Sequence, residues 1–210
     1  MLLLSAEPDI RLSCDALLFD MDGVLVDSLP TIERHLREWS VEHGLDPAKV
    51  HELSGGRTTR ELIELVAPGL DSSAEEARLL VREVEDTAGI SASPGARSIL
   101  ADAGPWAVVT SGRRAVAQAR LKAAGLPIPD VLVTADDVTA GKPDPQGYLQ
   151  AARRLRAAAG RCVVLEDAAA GIDAGVAAGM TTIEIRPVPT GRPRLGDHLV
   201  TGLDVLRVVR

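Results

Sequence analysis

Leu17-Leu18-Phe19-Asp20-Met21-Asp22-Gly23-Val24-Leu25-Val26-Asp27 is the stretch that decides the fold. An apolar run, Ala16 to Phe19, stops abruptly on two carboxylates spaced by two and a glycine, the pattern of a doubly buried strand ending in a tight polar turn. The same pattern recurs downstream at Trp106 to Thr110, Val131 to Thr134, Cys162 to Leu165 and Thr182 to Ile185. Helix-period segments lie between these runs: about 113–124, closed by Gly125 and Pro127; about 145–158, closed by Gly160; and about 169–178, closed by Gly179. Strand and helix alternating in this way predict an α/β fold, a Rossmann-like doubly wound parallel sheet. Residues 28–92 break the rhythm. Pro30 at a first turn, then Trp39, then Leu79, Leu80, Val81 and Val84 read as helix throughout, with no strand. The expected organisation is a core of residues 1–27 and 93–210 with an inserted all-helical cap domain, 28–92, over one edge of the sheet.

Composition narrows the function. In 210 residues, 46% hydrophobic side chains support a real core, and 30 Asp+Glu against 23 Lys+Arg give a net charge of −7. That balance argues against a nucleic-acid partner, and the four aromatics, Phe19, Trp39, Trp106 and Tyr148, provide no stacking platform. Met1 to Leu4 is too short for a signal peptide and no apolar run reaches membrane-spanning length, so a soluble cytoplasmic protein with no membrane partner is expected. Cys14 and Cys162 fit neither a disulfide framework nor a zinc site and read as buried, reduced strand residues. The pattern does not fix the oligomeric state, and a monomer is compatible with it.

In open parallel sheets ligands bind beyond the carboxyl ends of the strands. At those positions stand Asp20-Met21-Asp22, Thr110-Ser111-Gly112, Gly141-Lys142-Pro143 and Glu166-Asp167. One hydroxyl, one lysine and four carboxylates at one rim are the ingredients of a Mg²⁺ site facing a phosphoryl group. Asp20 is ionised at neutral pH without help and can attack phosphorus, forming an aspartyl phosphate. Asp22, two residues on, points the same way. It can donate a proton to the leaving alcohol and then deprotonate the attacking water. Hard oxygen ligands select Mg²⁺: Asp20 and Asp167 directly, the Asp22 carbonyl as a third, and Glu166 through water. Lys142 and Thr110, with backbone N–H groups at Met21, Asp22 and Ser111, would offset charge on the phosphoryl oxygens. Asp27, just before Ser28 and Pro30, reads as a helix cap rather than a ligand, and Asp144 as the cap of the helix after it.

These motifs, in this order, resemble the haloacid-dehalogenase-like hydrolase superfamily. The resemblance runs through Leu17 to Gly23, Val108-Val109-Thr110-Ser111-Gly112, Gly141-Lys142-Pro143-Asp144-Pro145 and Val164-Leu165-Glu166-Asp167-Ala168-Ala169-Ala170-Gly171. It implies Mg²⁺-dependent hydrolysis of phosphate esters of small metabolites, with residues 28–92 as a C1-type cap. Asp27 to Arg34, Gly125-Leu126-Pro127 and Val133 to Val138 are similar to the bacterial sugar phosphatases. Ser54-Gly55-Gly56-Arg57-Thr58 resembles the substrate loop of the glycerol-phosphate phosphatases, His-Gly-x-Arg-Thr, with Ser54 in place of the histidine. Gly55 and Arg57 are therefore the cap residues expected to meet substrate. A phosphosugar mutase of the β-phosphoglucomutase type shares these motifs but carries a cap histidine where this chain has Ile32, with His35 one turn on. A non-catalytic phosphoacceptor module is the remaining alternative, and it needs neither Asp22 nor a cap.

Overall fold

A computed structural model of the chain describes residues 1–6, 10–55, 57–187 and 191–209. Along the chain run β1 (Leu2–Ala6), β2 (Ile10–Cys14), β3 (Ala16–Phe19), β4 (Val26–Asp27), α1 (Leu29–Glu42), α2 (Pro47–Ser54), α3 (Thr59–Val66), α4 (Ser72–Glu85), β5 (Ser91–Ala92) and α5 (Ala96–Asp102). There follow β6 (Trp106–Val109), α6 (Arg114–Ala123), β7 (Val131–Val133), α7 (Gln146–Arg154), β8 (Cys162–Glu166), α8 (Ala169–Ala177), β9 (Thr181–Ile185), β10 (His198–Val200) and β11 (Arg207–Val209).

Six strands form a parallel sheet in the order β10-β9-β8-β3-β6-β7. All four residues of β3 are buried, and they alternate between two cores. Leu17 and Phe19 pack with Val108, Leu121, Leu165 and Ile183 on one face. Ala16 and Leu18 pack with Val109, Val133, Tyr148, Val164 and Ala174 on the other. Helices α5 and α6 thus cover one side and α7 and α8 the other, which is the doubly wound arrangement expected. The chain leaves β3 toward β6 and β7, then returns to β8 on the opposite flank, so the topological switch point lies between β3 and β8. Register does the rest. Phe19 is level with both Leu165 and Val108, and Val109 with Val133, so Asp20, Glu166 and Thr110 all emerge at one rim.

The structure adds strands that local pattern did not reveal. β1, β2 and β11 form an antiparallel sheet in which Leu3 is level with Val209. β10 extends the main sheet at its edge. Contrary to the reading of 28–92 as strand-free, Ser91 and Ala92 pair antiparallel with Asp27 and Val26. A two-residue strand is too short to show period-two alternation. Helix α7 ends at Arg154 rather than 158, because Arg156 turns to φ 57° and the Ala157 N–H closes on the Ala152 carbonyl. Helices α1 to α4 gather around a core of their own, Leu36, Trp39, Val50, Leu62, Ile63 and Leu79, with Trp39 Nε1 donating to Glu75 Oε2 at 2.9 Å. Cys14 and Cys162 are buried free thiols. Among the described residues, no helix is long and apolar enough to cross a membrane.

Candidate active site

Lys142 reaches the rim from the loop after β7. Its Nζ donates to Asp20 Oδ1 at 2.5 Å, Glu166 Oε1 at 2.6 Å and the Val109 carbonyl at 3.1 Å. Beneath it, 5.4 Å from Nζ to the ring centre, lies Tyr148, whose hydroxyl donates to Glu166 Oε1 at 3.0 Å. Glu166 is wholly enclosed, and its Oε2 accepts from the N–H groups of Asp167 and Ala168, each at 3.0 Å. The first turn of α8 is pressed so closely on this carboxylate that a Cβ at Gly171 would lie 1.6 Å from Glu166 Oε1.

Asp20, Glu166 and Asp167 each present a carboxylate oxygen, all within 4.8 Å of one another. Contrary to the expectation that Asp20 ionises without help, burial first, then the neighbouring carboxylates, push its carboxyl well above its ordinary value, with Lys142 opposing. The same causes raise Asp167 to about 7. One lysine does not balance three carboxylates at such spacing. The cluster therefore suits a hard divalent cation, and Glu166 has both oxygens engaged, Oε1 by Lys142 and Tyr148 and Oε2 by two backbone N–H groups, which makes Asp20 and Asp167 the candidates for direct ligands.

Asp22 sits on the turn that follows. Met21 buries its side chain in the core while its carbonyl accepts from Leu25 N–H at 3.0 Å and Val26 N–H at 2.8 Å; Gly23, at φ 83°, closes the loop. Ser28 Oγ donates to Asp22 Oδ1 at 2.5 Å, and Arg120 Nη1 lies 2.9 Å from Asp22 Oδ2. The other amino group of Arg120, Nη2, is 2.6 Å from Glu83 Oε1 on α4. The expected helix cap at Asp27 is not formed. Asp27 is exposed in β4, and the N-cap position of α1 belongs to Ser28, whose hydroxyl serves Asp22 instead of a backbone N–H. Asp144 Oδ1 does accept from the Gln146 N–H at α7.

Thr110 is held by its N–H to the Val133 carbonyl at 3.0 Å, and its Oγ1 accepts from Gly112 N–H at 3.1 Å. A cavity of about 190 Å³ lies between this rim and helices α1 to α4, bringing together Asp20, Asp22, Thr110, Ser111, Lys142, Glu166 and Asp167 with Gly55 and Arg57 from the α2–α3 connection. Arg57 is exposed and donates to the Leu53 carbonyl at 2.6 Å. Gly56 lies outside the described residues. Helix α1 lines the cavity with Leu29, Ile32 and Leu36. His35 is not among the lining residues; its Nε2 contacts Asp86 Oδ2 at 3.0 Å. Arg113, at the start of α6, is committed elsewhere too: its Nε and Nη2 grip the buried Glu76 of α4 at 2.8 and 2.7 Å, and its Nη1 donates to Asp136 Oδ1 at 2.5 Å. From the same side Glu61 Oε1 accepts the Gly141 N–H at 3.0 Å.

Three participants were not singled out from sequence: Arg120, Glu83 and Tyr148. A signal existed for two of them. Arg120 falls on the apolar stripe of α6 with Val116, Ala117 and Leu121, and Tyr148 on that of α7 with Ala151 and Ala152, so each places a polar tip where a helix faces the core.

The family profile of the haloacid dehalogenase-like hydrolases matches residues 14–179. The chain belongs to that family. It is 45% identical over 191 residues to hexitol phosphatase A of Escherichia coli (strain K12), with 88% of each chain covered. It is 34% identical over 192 residues to fructose-1-phosphate phosphatase YqaB of the same strain, covering 81% of this chain and 95% of the relative. Glycerol-1-phosphate phosphohydrolase 2 of Saccharomyces cerevisiae is 34% identical over 193 residues, covering 84% and 76%. Among solved structures, CbbY from Rhodobacter sphaeroides in complex with phosphate superposes with a TM-score of 0.73 at 27% identity, over 91% of this chain and 95% of that one.

Proposed function

We propose that this haloacid dehalogenase-like hydrolase is a Mg²⁺-dependent phosphatase of small phosphorylated sugars or polyols, working through an aspartyl phosphate on Asp20. The observation that carries the reading is the placement of Asp20 at the switch point, paired with Lys142 and facing a capped cavity that also holds Asp22. Relatives at 45% and 34% identity are phosphatases of hexitol and fructose phosphates by name, which supports the substrate class.

In this mechanism an Asp20 carboxylate oxygen attacks phosphorus as the bond to the ester oxygen breaks, and Asp22 gives its proton to the departing alkoxide. Water then attacks the phosphoryl group on Asp20 while Asp22 takes up its proton, returning inorganic phosphate and the free carboxylate. Lys142, Thr110 and the N–H groups of Met21, Asp22 and Ser111 hold the phosphoryl oxygens. Asp20, Asp167 and the Asp22 carbonyl would hold Mg²⁺, which when bound would supply the positive charge that lets carboxylates and a phosphate dianion share one rim. Glu166, with Oε1 on Lys142 and Tyr148 and Oε2 on two backbone groups, chiefly orients the lysine. It belongs to the same acidic cluster and is the candidate for a contact through water. Helices α1 to α4 act as the lid that excludes water, with Gly55 and Arg57 at the mouth. The proposed setting is the cytoplasm, consistent with two buried thiols left unpaired.

The mutase reading lacks its cap histidine at the cavity, where Ile32 stands and His35 is committed to Asp86. A panel of sugar and polyol phosphates, assayed for released phosphate with and without Mg²⁺, tests the proposal. Mg²⁺-dependent release from polyhydroxylated esters is expected. Isomerisation of glucose 1-phosphate without free phosphate would overturn it.

A further inference from the structure

Glu83 is an anomaly in a cavity built for a phosphate ester. It lies on α4 of the cap and lines the same cavity as Asp20 and Lys142, yet it is a carboxylate, which a phosphate dianion would avoid. Its side chain is 18% exposed, and one oxygen, Oε1, is taken by Arg120 Nη2 at 2.6 Å. The second, Oε2, has no hydrogen-bond partner among the described residues. Burial pushes the carboxyl up and Arg120 pulls it back, with Asp22 and His35 as the other charged or titratable groups facing it.

Arg120 explains how the carboxylate is kept there. Only 3% of the arginine is exposed; its Nε has no hydrogen-bond partner among the described residues, and its two amino groups span Asp22 after β3 and Glu83 on α4. The guanidinium fork fixes Glu83 one guanidinium away from the carboxyl that meets the ester oxygen. With Asp22 at the ester oxygen, the carbon chain bonded to that oxygen would occupy the cavity that Glu83 also lines. Of the rest of the lining from α1 to α3, Leu29, Ile32, Leu36 and Leu62 can flank a carbon skeleton but accept no hydrogen bond, and Ser54, Thr58 and Thr59 present hydroxyls that carry no charge.

We propose that Glu83 is a specificity residue whose free Oε2 accepts hydrogen bonds from hydroxyl groups on the carbons adjoining the ester, with Arg120 as its positioning residue. The assignment rests on the phosphatase reading and deepens it to polyhydroxylated esters. Two consequences follow from the charge. A hydroxyl donor gains a charge-assisted bond in a partly desolvated site, so an analogue without hydroxyls leaves the carboxylate unpaired and is rejected. The phosphate is also steered to the Lys142 end, which fixes the direction in which substrate enters.

The test compares kcat/KM for glucitol 6-phosphate and for n-hexyl phosphate, which has the same carbon count and no hydroxyls, in the full chain with Mg²⁺. Taking the ratio within one preparation cancels any loss of folded protein. The native chain should favour the polyol ester, and E83L should lower the ratio by about ten- to hundredfold, with E83Q, which keeps an acceptor, recovering part of it. R120M/E83L, which leaves no charge of this pair unpaired, should show the same low ratio. A ratio unchanged in E83L, or a native chain that does not distinguish the two esters, overturns the proposal while leaving the phosphatase intact. Failure to release phosphate from either ester sinks the underlying reading instead.

Discussion

Lys142 Nζ lies 2.5 Å from Asp20 Oδ1, and the two residues are 122 positions apart in the chain. The contact joins the end of β3 to the loop after β7, and Glu166 at the end of β8 shares the same ammonium group at 2.6 Å. A single cation thus ties three strand ends together.

Removing that cation should cost both folding and chemistry. Lys142→Met leaves Asp20 and Glu166 facing each other in a buried site, and a loss of about 3–5 kcal/mol is expected from breaking such a pair on one side. Urea denaturation reads the stability. Phosphate release should fall by about 10²- to 10³-fold or more, as when one oxyanion donor is lost.

The acidic cluster sets the pH dependence of the metal-free chain. Asp167, raised to about 7, and Asp20, also raised, bind protons more tightly folded than unfolded. Stability in chelator should therefore fall as pH rises from about 4 to about 7, since the native state holds the extra protons. Mg²⁺ competes with those protons, so the melting-temperature increase it causes should be larger near pH 8 than near pH 5. An equal increase at both would contradict the assignment of the cluster as the cation site.

Gly171 provides a steric test. A Cβ there would stand 1.6 Å from Glu166 Oε1, so Gly171→Ala must displace the carboxylate that orients Lys142, and activity should fall by at least about tenfold. Gly160→Ala, where the nearest atom to a new Cβ is 3.9 Å away, should change stability by no more than about 0.5 kcal/mol and leave turnover as it was.

His35 is 2% exposed and contacts Asp86, so His35→Gln should act on stability, by about 1–3 kcal/mol, rather than on the reaction. Incubation of both proteins with glucose 1-phosphate checks this: free phosphate without an isomer is expected from each.

How far the sequence carried these results can be read from particular residues. β3 was legible because four buried residues end on Asp20, and β6 and β8 because their apolar runs stop at Thr110 and Glu166; parallel pairing in register then brings the three ends together. Lys142 was legible from its place between Gly141 and Pro143 after a strand. The β1–β11 pairing was not, because it joins Leu3 to Val209 and leaves no local trace. Glu83 was hidden for a similar reason. On its own helix it is one charged residue among many in α4, and only the approach of α6 gives it Arg120. Asp27 does not cap α1 because the N-cap position falls on Ser28, whose hydroxyl donates to Asp22 rather than serving its own helix.

Intact-protein mass spectrometry of Asp22→Asn, taken with Mg²⁺ and a polyol phosphate present, bears most directly on the claim that Asp20 is the nucleophile and Asp22 its proton carrier. The predicted result is a chain heavier by one phosphoryl group, with the added mass mapping to Asp20 and absent when Asp20→Asn is introduced as well. Turnover at the native rate with no added mass would contradict it.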